Sequence, residues 1–405
     1  MTETRTALII GGGIAGSVTA MALHRAGIEA TVYEAYDSAA DGVGGMLGLA
    51  PNGVRALSVL GADEAVRGVG DPVTSMIMRS WTGKRLAEFG GQGGAPVFHA
   101  VWRADLYRAL NEEAARRDLP TVYGKRLQKA GETADGVVAT FTDGTTASAD
   151  VLIGADGIRS TVRKIIDPSA PEPRYSGLLG FGGLTRTNLP STNHSMHMIF
   201  GKRAFFAYQV DEDGRTGWFA NLPRREPLTR AEARATDAAE WLRIMADVFA
   251  KDRIPALEIL RNVDPEQLVN VGALEDLPKV PVWSRGRMVL VGDSAHATSP
   301  SSGQGASQAM ESAVQLARCL RDLPVPEAFA AYEQLRRERV ERVIASAEKT
   351  NSDKAAGPVA RVLRDLLMPV AMKLLAKPEK MAWQVDYTID WDAPVERVAP
   401  LAAAH

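Results

Sequence analysis

The chain opens on an apolar run, Thr6 to Ile10, that three glycines cut short. An alanine-rich stretch from Ser17 to Ala26 follows, Gly27 stops it, and a second apolar run spans Ala30 to Tyr33. Runs of strand, helix and strand length in that order predict a β-α-β unit. Helical spacing returns over Pro51–Leu60 and Arg103–Arg117, Gly144 punctuates a hairpin of Gly136–Thr142 with Thr145–Ala149, and Val151–Gly154 reads as another buried strand. Between residues 175 and 222 the texture changes to aromatic, glycine and β-branched types, which predicts an antiparallel sheet. Ala231–Ala250 then reads as one helix, Met288–Val291 as a late buried strand, Ser307–Leu320 and Pro326–Glu348 as helices, and Val359–Leu375 as a last amphipathic helix.

Three turns carry candidate chemistry. In Gly11-Gly12-Gly13-Ile14-Ala15-Gly16, glycines 11, 13 and 16 satisfy G-x-G-x-x-G between a predicted strand and a predicted helix. Gly11 suits the tight turn, Gly13 the approach of a pyrophosphate, and Gly16 close helix packing, with the helix N-terminus facing the phosphate charge. Glu34 ends the next strand, where a carboxylate can accept from adenosine ribose hydroxyls and repel a 2′-phosphate. The motif implies a dinucleotide but does not separate FAD from NAD. The second turn, Gly154 to Arg163, presents Asp156 before Gly157 and two guanidinium groups, Arg159 and Arg163. The third, Gly292-Asp293 through Pro300 to Gly303-Gln304-Gly305-Ala306, sets Asp293 just beyond a strand, suited to ribitol hydroxyls. It also sets N–H groups at a helix start, suited to a developing anion on a flavin ring.

Composition narrows the class. With 405 residues, 45% hydrophobic, the chain can bury a large core, and 47 basic against 49 acidic side chains leave no electrostatic footprint for nucleic acid. The single cysteine, Cys319, excludes an intramolecular disulfide and lacks the spacing of a zinc site. No signal-peptide core and no run of about 18 apolar residues is present, so the expectation is a soluble, cytoplasmic protein without membrane contact. Oligomeric state is not legible.

The ordered turns, together with Arg103-Ala104-Asp105-Leu106 and Leu110 in an R-x-x-L-x-x-x-L helix, resemble the class A flavoprotein monooxygenases. That family includes para-hydroxybenzoate hydroxylase, salicylate hydroxylase, zeaxanthin epoxidase and the tetracycline-degrading monooxygenases. The resemblance spans nearly the whole chain. It implies an α/β fold in which a Rossmann-like FAD-binding domain (1–72, 101–174 and 281–348) is interleaved with an antiparallel-sheet substrate domain (73–100 and 175–280), followed by C-terminal helices (349–405). It also implies non-covalent FAD, with Glu34 on the adenosine ribose, Arg103 and Asp293 on the ribityl and phosphate portion, and Gly303 to Ala306 beside the isoalloxazine. Asp156 would serve both FAD and NAD(P)H, and Gly44 to Gly53, including Gly48, would run beside the flavin. Ala35, Ser307 and Glu311 depart from the family's usual residues at their positions.

The implied reaction uses NAD(P)H and O2 to hydroxylate or epoxidise a small aromatic or polycyclic molecule through a flavin C4a-hydroperoxide, with the protein orienting the substrate and excluding water. Phe181, Phe205, Phe206, Tyr208, Trp218 and Phe219 are expected on the sheet that roofs the flavin. No catalytic base is assigned: His99, His194, His197 and Tyr208 are candidates by type alone, and His296 reads as a cofactor-side residue. Two alternatives share the nucleotide motifs, an FAD-dependent dehydrogenase or reductase and a nucleotide-binding sensor without turnover.

Overall fold

Apart from Thr6, strands Thr6–Ile10, Val151–Gly154 and Met288–Leu290 consist of apolar residues and glycine because both faces of the sheet they form are packed against the rest of the chain. The computed structural model describes residues 4–38, 45–90, 95–354, 357, 361–368 and 383–397. In it these three strands lie side by side and parallel, flanked by Glu29–Tyr33 and Thr121–Val122 on one side and by the antiparallel Ser284–Arg285 on the other. The first helix, Ile14–Arg25, begins three residues before the expected Ser17. Gly13 takes the N-cap position, and Gly16 falls in the first turn, where a Cβ would stand 1.9 Å from the Gly11 carbonyl oxygen.

The hairpin around Gly144 forms as expected, Val137–Phe141 against Thr146–Ala149, with Leu127–Glu132 as a third strand. A second, seven-stranded sheet runs in the order Val269–Asp276, Arg174–Arg186, Arg215–Pro223, Phe205–Val210, Ser195–Phe200, Ser75–Ser80 and Arg85–Gly90. All its pairs are antiparallel except Ser195–Phe200 with Ser75–Ser80. Three short strands, Met46–Leu49, Phe98–Trp102 and Asp71–Val73, form a sheet between the two large ones.

The single helix expected over Ala231–Ala250 is two, Arg230–Ala235 and Ala238–Phe249. Thr236 leaves helical geometry, and Asp237 caps a new helix by accepting from the Glu240 N–H. The helix expected over Pro326–Glu348 extends to Val325–Lys354. Of the helix expected over Val359–Leu375, residues 361–368 are helical and the remainder lies outside the described residues.

Helix Gly305–Asp322 packs on Ile14–Arg25, on Pro51–Val59 and on Val325–Lys354. At that junction the fully buried Glu311 carboxylate pairs with Arg336 and with Arg339 (2.8 Å) and accepts from Asn52 Nδ2 (2.6 Å). Arg336 also donates to Gln308 Oε1 (2.6 Å) and, through Nε, to Ser312 (3.1 Å). Burial alone would raise the Glu311 pKa, but the two guanidinium groups and the Asn52 amide outweigh it and hold the carboxyl below its ordinary range. A carboxylate depressed in the folded state contributes stability that is intact above the unfolded pKa of about 4.3 and is lost as pH falls through the folded value. Glu311→Gln is therefore expected to lower stability by about 3–5 kcal/mol at pH 7 in urea denaturation and to flatten the acid limb of the pH–stability curve. A loss under about 1 kcal/mol would show that the pairs carry little.

Candidate active site

The parallel register brings the three sequence turns to one edge. Ile10 stands level with Tyr33 and Gly154, and Gly154 with Leu290, so all three motifs emerge together at the carboxyl ends of adjacent strands. Gly11 has φ +103°, and a Cβ there would lie 2.5 Å from the Ala155 carbonyl oxygen, so the first motif abuts the second. Gly292, φ +65°, lets the third approach the helix that follows the first, since its Cβ would meet Ala15 Cβ at 2.8 Å. Around Gly13, by contrast, no atom lies within 4 Å of where a Cβ would be, so the helix N-terminus opens onto a cleft.

Glu34 is pinned to this turn: Oε2 accepts from the Gly12 N–H (2.7 Å) and Oε1 from the Tyr36 N–H (2.9 Å). Each oxygen keeps a lone pair for a further donor. Asp293 is reached by solvent but sits deep among protein atoms, and this crowding raises its pKa while Arg103, the nearest cation, lowers it. Arg103 starts the helix Arg103–Arg116, is solvent-exposed, and through its N–H holds the Gly45 carbonyl (3.2 Å), which fixes the strand that carries Gly48. Gly44 of that loop lies outside the described residues.

At the third turn Gly303 is left-handed (φ +61°), and the helix from Gly305 has no side-chain cap, leaving the N–H groups around Gly305 and Ala306 facing an anion-compatible end. The Gln304 side chain is engaged in the chain itself, accepting from Asn52 Nδ2 (3.0 Å) and Gln308 Nε2 (3.3 Å). Among the described residues Asn52 Oδ1, buried beside it, has no partner. Open space at Gly13, an uncapped helix end and this orphaned acceptor fit an extended, phosphate-bearing cofactor.

Several expected contacts differ. The Asp156 carboxylate is occupied by its own turn, accepting from Ser160 Oγ and from the Thr161 and Val162 N–H groups (2.7 and 3.1 Å). Neither guanidinium of that motif faces the cleft: Arg159 pairs with Glu275 at the surface (2.7 Å), and the buried Arg163 donates to the Ser294 and Ile158 carbonyls. His296 points into the core, bonded to Ser312 Oγ (2.9 Å) and beside Trp283, and burial pulls its pKa down to about 3. It is a neutral structural group.

The large sheet is two-faced, and its register divides the aromatic residues that were expected together. Gly180, Asn221, Phe205 and Phe200 lie directly opposite one another across four strands, and Gly182, Phe219, Ala207 and Met198 form the next such row. This face packs toward Met46, Phe98 and Ala100 of the small sheet. Phe181, Phe206, Tyr208 and Trp218 take the opposite face, under Trp241, Met245 and Phe249 of the helices. His197 goes with them, its Nδ1 2.8 Å from the Tyr208 hydroxyl, and burial lowers its pKa to about 4. His99 alternates away from Phe98 and Ala100, and His194 occupies an exposed left-handed turn. None of the four candidate bases reaches the face turned toward the cofactor turns.

One residue that sequence reasoning passed over does reach it. Lys354, at the end of Val325–Lys354, donates to Asn221 Oδ1 (2.8 Å) and Ser301 Oγ (3.1 Å), joining the sheet to the Pro300–Ser302 turn. A lysine on a long charged helix carries no sequence signal that separates it from its solvated neighbours.

Comparison with known proteins agrees with this arrangement. The model of a family described as FAD binding domain matches residues 3–347. The FAD-dependent urate hydroxylase of Klebsiella pneumoniae is 32% identical over 85% of this chain and 88% of its own. The 3-amino-4-hydroxybenzoate 2-monooxygenase PtnB3 of Streptomyces platensis is 35% identical over 90% and 93%. The crystal structure of Klebsiella pneumoniae HpxO with FAD and uric acid superposes with a TM-score of 0.81 at 27% identity, covering 91% of this chain and 94% of that one. Among the described residues no helix is long and apolar enough to cross a membrane. With its three turns gathered at one sheet edge and these likenesses over most of its length, the chain belongs to the FAD binding domain family and is a FAD-dependent monooxygenase.

Proposed function

We propose that this enzyme hydroxylates a small, electron-rich aromatic ring held against the Gly180/Gly182/Phe219 face of the large sheet, using NAD(P)H and O2. The observation that carries the reading is the register of that sheet. It sets Gly182 directly opposite Phe219, in the row next to Gly180, Asn221 and Phe205, on the face turned toward Met46, and the partly exposed Phe219 end of that face is read as one wall of the ring site. The relatives named for urate and for 3-amino-4-hydroxybenzoate also act on small planar rings.

FAD would lie along Gly11, Gly13, Ile14, Ala15 and Gly16, with Glu34 at its ribose. Arg103 and Asp293 would hold its middle, with Gly48, Gly303, Gly305 and Ala306 at its ring. Gln304 and Asp156 act one step removed, by holding the turns that touch it. When bound, the flavin supplies the redox chemistry, accepting hydride from NAD(P)H and reacting with O2. The chain's part is to orient the ring and keep water out, and the apolar residues of this face serve that purpose. A non-covalent flavin is supported by Cys319 being buried in the core and His296 being bonded to Ser312.

The reading is tested by incubating the FAD-loaded protein with NAD(P)H and candidate ring substrates under 18O2. One labelled oxygen in the product, with substrate-stimulated NAD(P)H consumption, is the expected outcome, whereas unlabelled product formed anaerobically with another electron acceptor would make the enzyme a dehydrogenase. Gly13→Asp is expected to fold normally, since the site is open and Asp is a favourable N-cap, yet to lose FAD affinity by at least about tenfold through repulsion of the pyrophosphate. Flavin retention on desalting reads this directly. His197→Gln and Tyr208→Phe are expected to leave kcat/KM within about threefold and the pH–rate profile unmoved, while Tyr208→Phe lowers stability by about 1 kcal/mol. A hundredfold loss of rate in either would place the catalytic face on the other side of the sheet.

A further inference from the structure

Lys354 is a cation in an unusual position. Its ammonium lies 4.2 Å from the centre of the Phe205 ring and 5.9 Å from that of Phe219, and both its hydrogen-bond partners, Asn221 Oδ1 and Ser301 Oγ, are neutral. An ammonium has three donors, and these two oxygens take two of them. No carboxylate of the described residues pairs with it, and burial, unopposed by any anion, pulls its pKa down to about 7.

The contrast with Arg336 is instructive. That guanidinium is fully buried and Glu311 neutralises it, whereas Lys354 is partly covered and has no such carboxylate among the described residues. A buried charge without a counter-ion is unfavourable unless something outside the chain completes it, and two aromatic faces and two neutral oxygens do so only in part. The surroundings say what completes it. Asn221 belongs to the same row as Gly180 and Phe205, and Ser301 belongs to the turn that precedes Gly303, so the ammonium sits where that sheet face meets that turn.

We propose that Lys354 is the anion-recognition residue of the substrate site, pairing with the carboxylate of an aromatic acid whose ring lies against the partly exposed Phe219. This rests on the reading of that sheet face as the substrate site. Lys354 selects among ring substrates by charge, and Asn221 and Ser301 position its ammonium.

Binding is measured without turnover, from the change in flavin absorbance of the FAD-loaded protein on titration with benzoate, salicylate and 3-amino-4-hydroxybenzoate, each against its own amide. The parent protein is expected to bind at least one carboxylate about tenfold or more tightly than the matching amide. Lys354→Met is expected to bring that ratio to within about twofold while leaving amide affinity within about threefold. Asn221→Asp keeps the lysine but gives it an internal carboxylate, and is expected to abolish the preference in the same way. Absence of any carboxylate preference in the parent, or its persistence in Lys354→Met, overturns the proposal. Should Lys354→Met fail to retain FAD, Asn221→Asp decides by the same ratio. A lysine-dependent carboxylate preference without 18O incorporation would refute the hydroxylase reading alone, and hydroxylation without a carboxylate preference would refute this assignment alone.

Discussion

The level register of three parallel strands is the constraint on which the site depends. Residues in adjacent parallel strands advance at the same rise, so aligning Ile10 with Gly154 and Gly154 with Leu290 forces the chain to leave the sheet at one height three times. Motifs separated by more than a hundred residues then share one small volume. Glycine makes the crowding possible: at 11 the backbone bends in the left-handed half of conformational space, at 16 it lies against a carbonyl, and at 292 it lets two helices close in. Any Cβ at these three positions would push the turns apart, and the cleft in front of Gly13 with them.

A second layer of order comes from how the chain treats buried charge. Glu311 gathers two arginines from one neighbouring helix and an asparagine from another, and through Asn52 it also steadies Gln304. One carboxylate thus links packing in the helical layer to the position of the residues beside the flavin site. The Glu311 carboxylate meets both guanidinium groups at once. Lys354 is the counterpart without a carboxylate partner among the described residues, held by Asn221 and Ser301 between the large sheet and the Pro300–Ser302 turn.

The large sheet shows how a period of two assigns chemistry. Phe205 and Phe206 are neighbours in sequence, but one faces the cofactor turns and the other the helices Ala238–Phe249 and Ala256–Arg261. The same alternation takes Tyr208 and His197 out of reach of any ring bound on the first face. That face carries Gly180, Gly182, Phe200, Phe205, Phe219, Ala207 and Met198 with the amides Gln209 and Asn221.

By itself the sequence determined what short-range physics controls. The β-α-β opening, the three glycine turns, the hairpin at Gly144 and the change to an antiparallel texture after residue 175 follow from local spacing and backbone freedom, and the structure has them all. It also carried the order of motifs that marks the family. Local pattern misled where a cap or a face decides the outcome: Asp237 breaks a run that reads as one helix, and the aromatic strands could not reveal which rings point where. Tertiary structure alone decided that the Asp156 carboxylate serves its own turn, that His296 faces the core, that Glu311 is a hub and that Lys354 joins the large sheet to the Pro300–Ser302 turn. Each of these depends on contacts between residues far apart in the chain, whose geometry is set by sheet register and helix packing rather than by any neighbour in sequence.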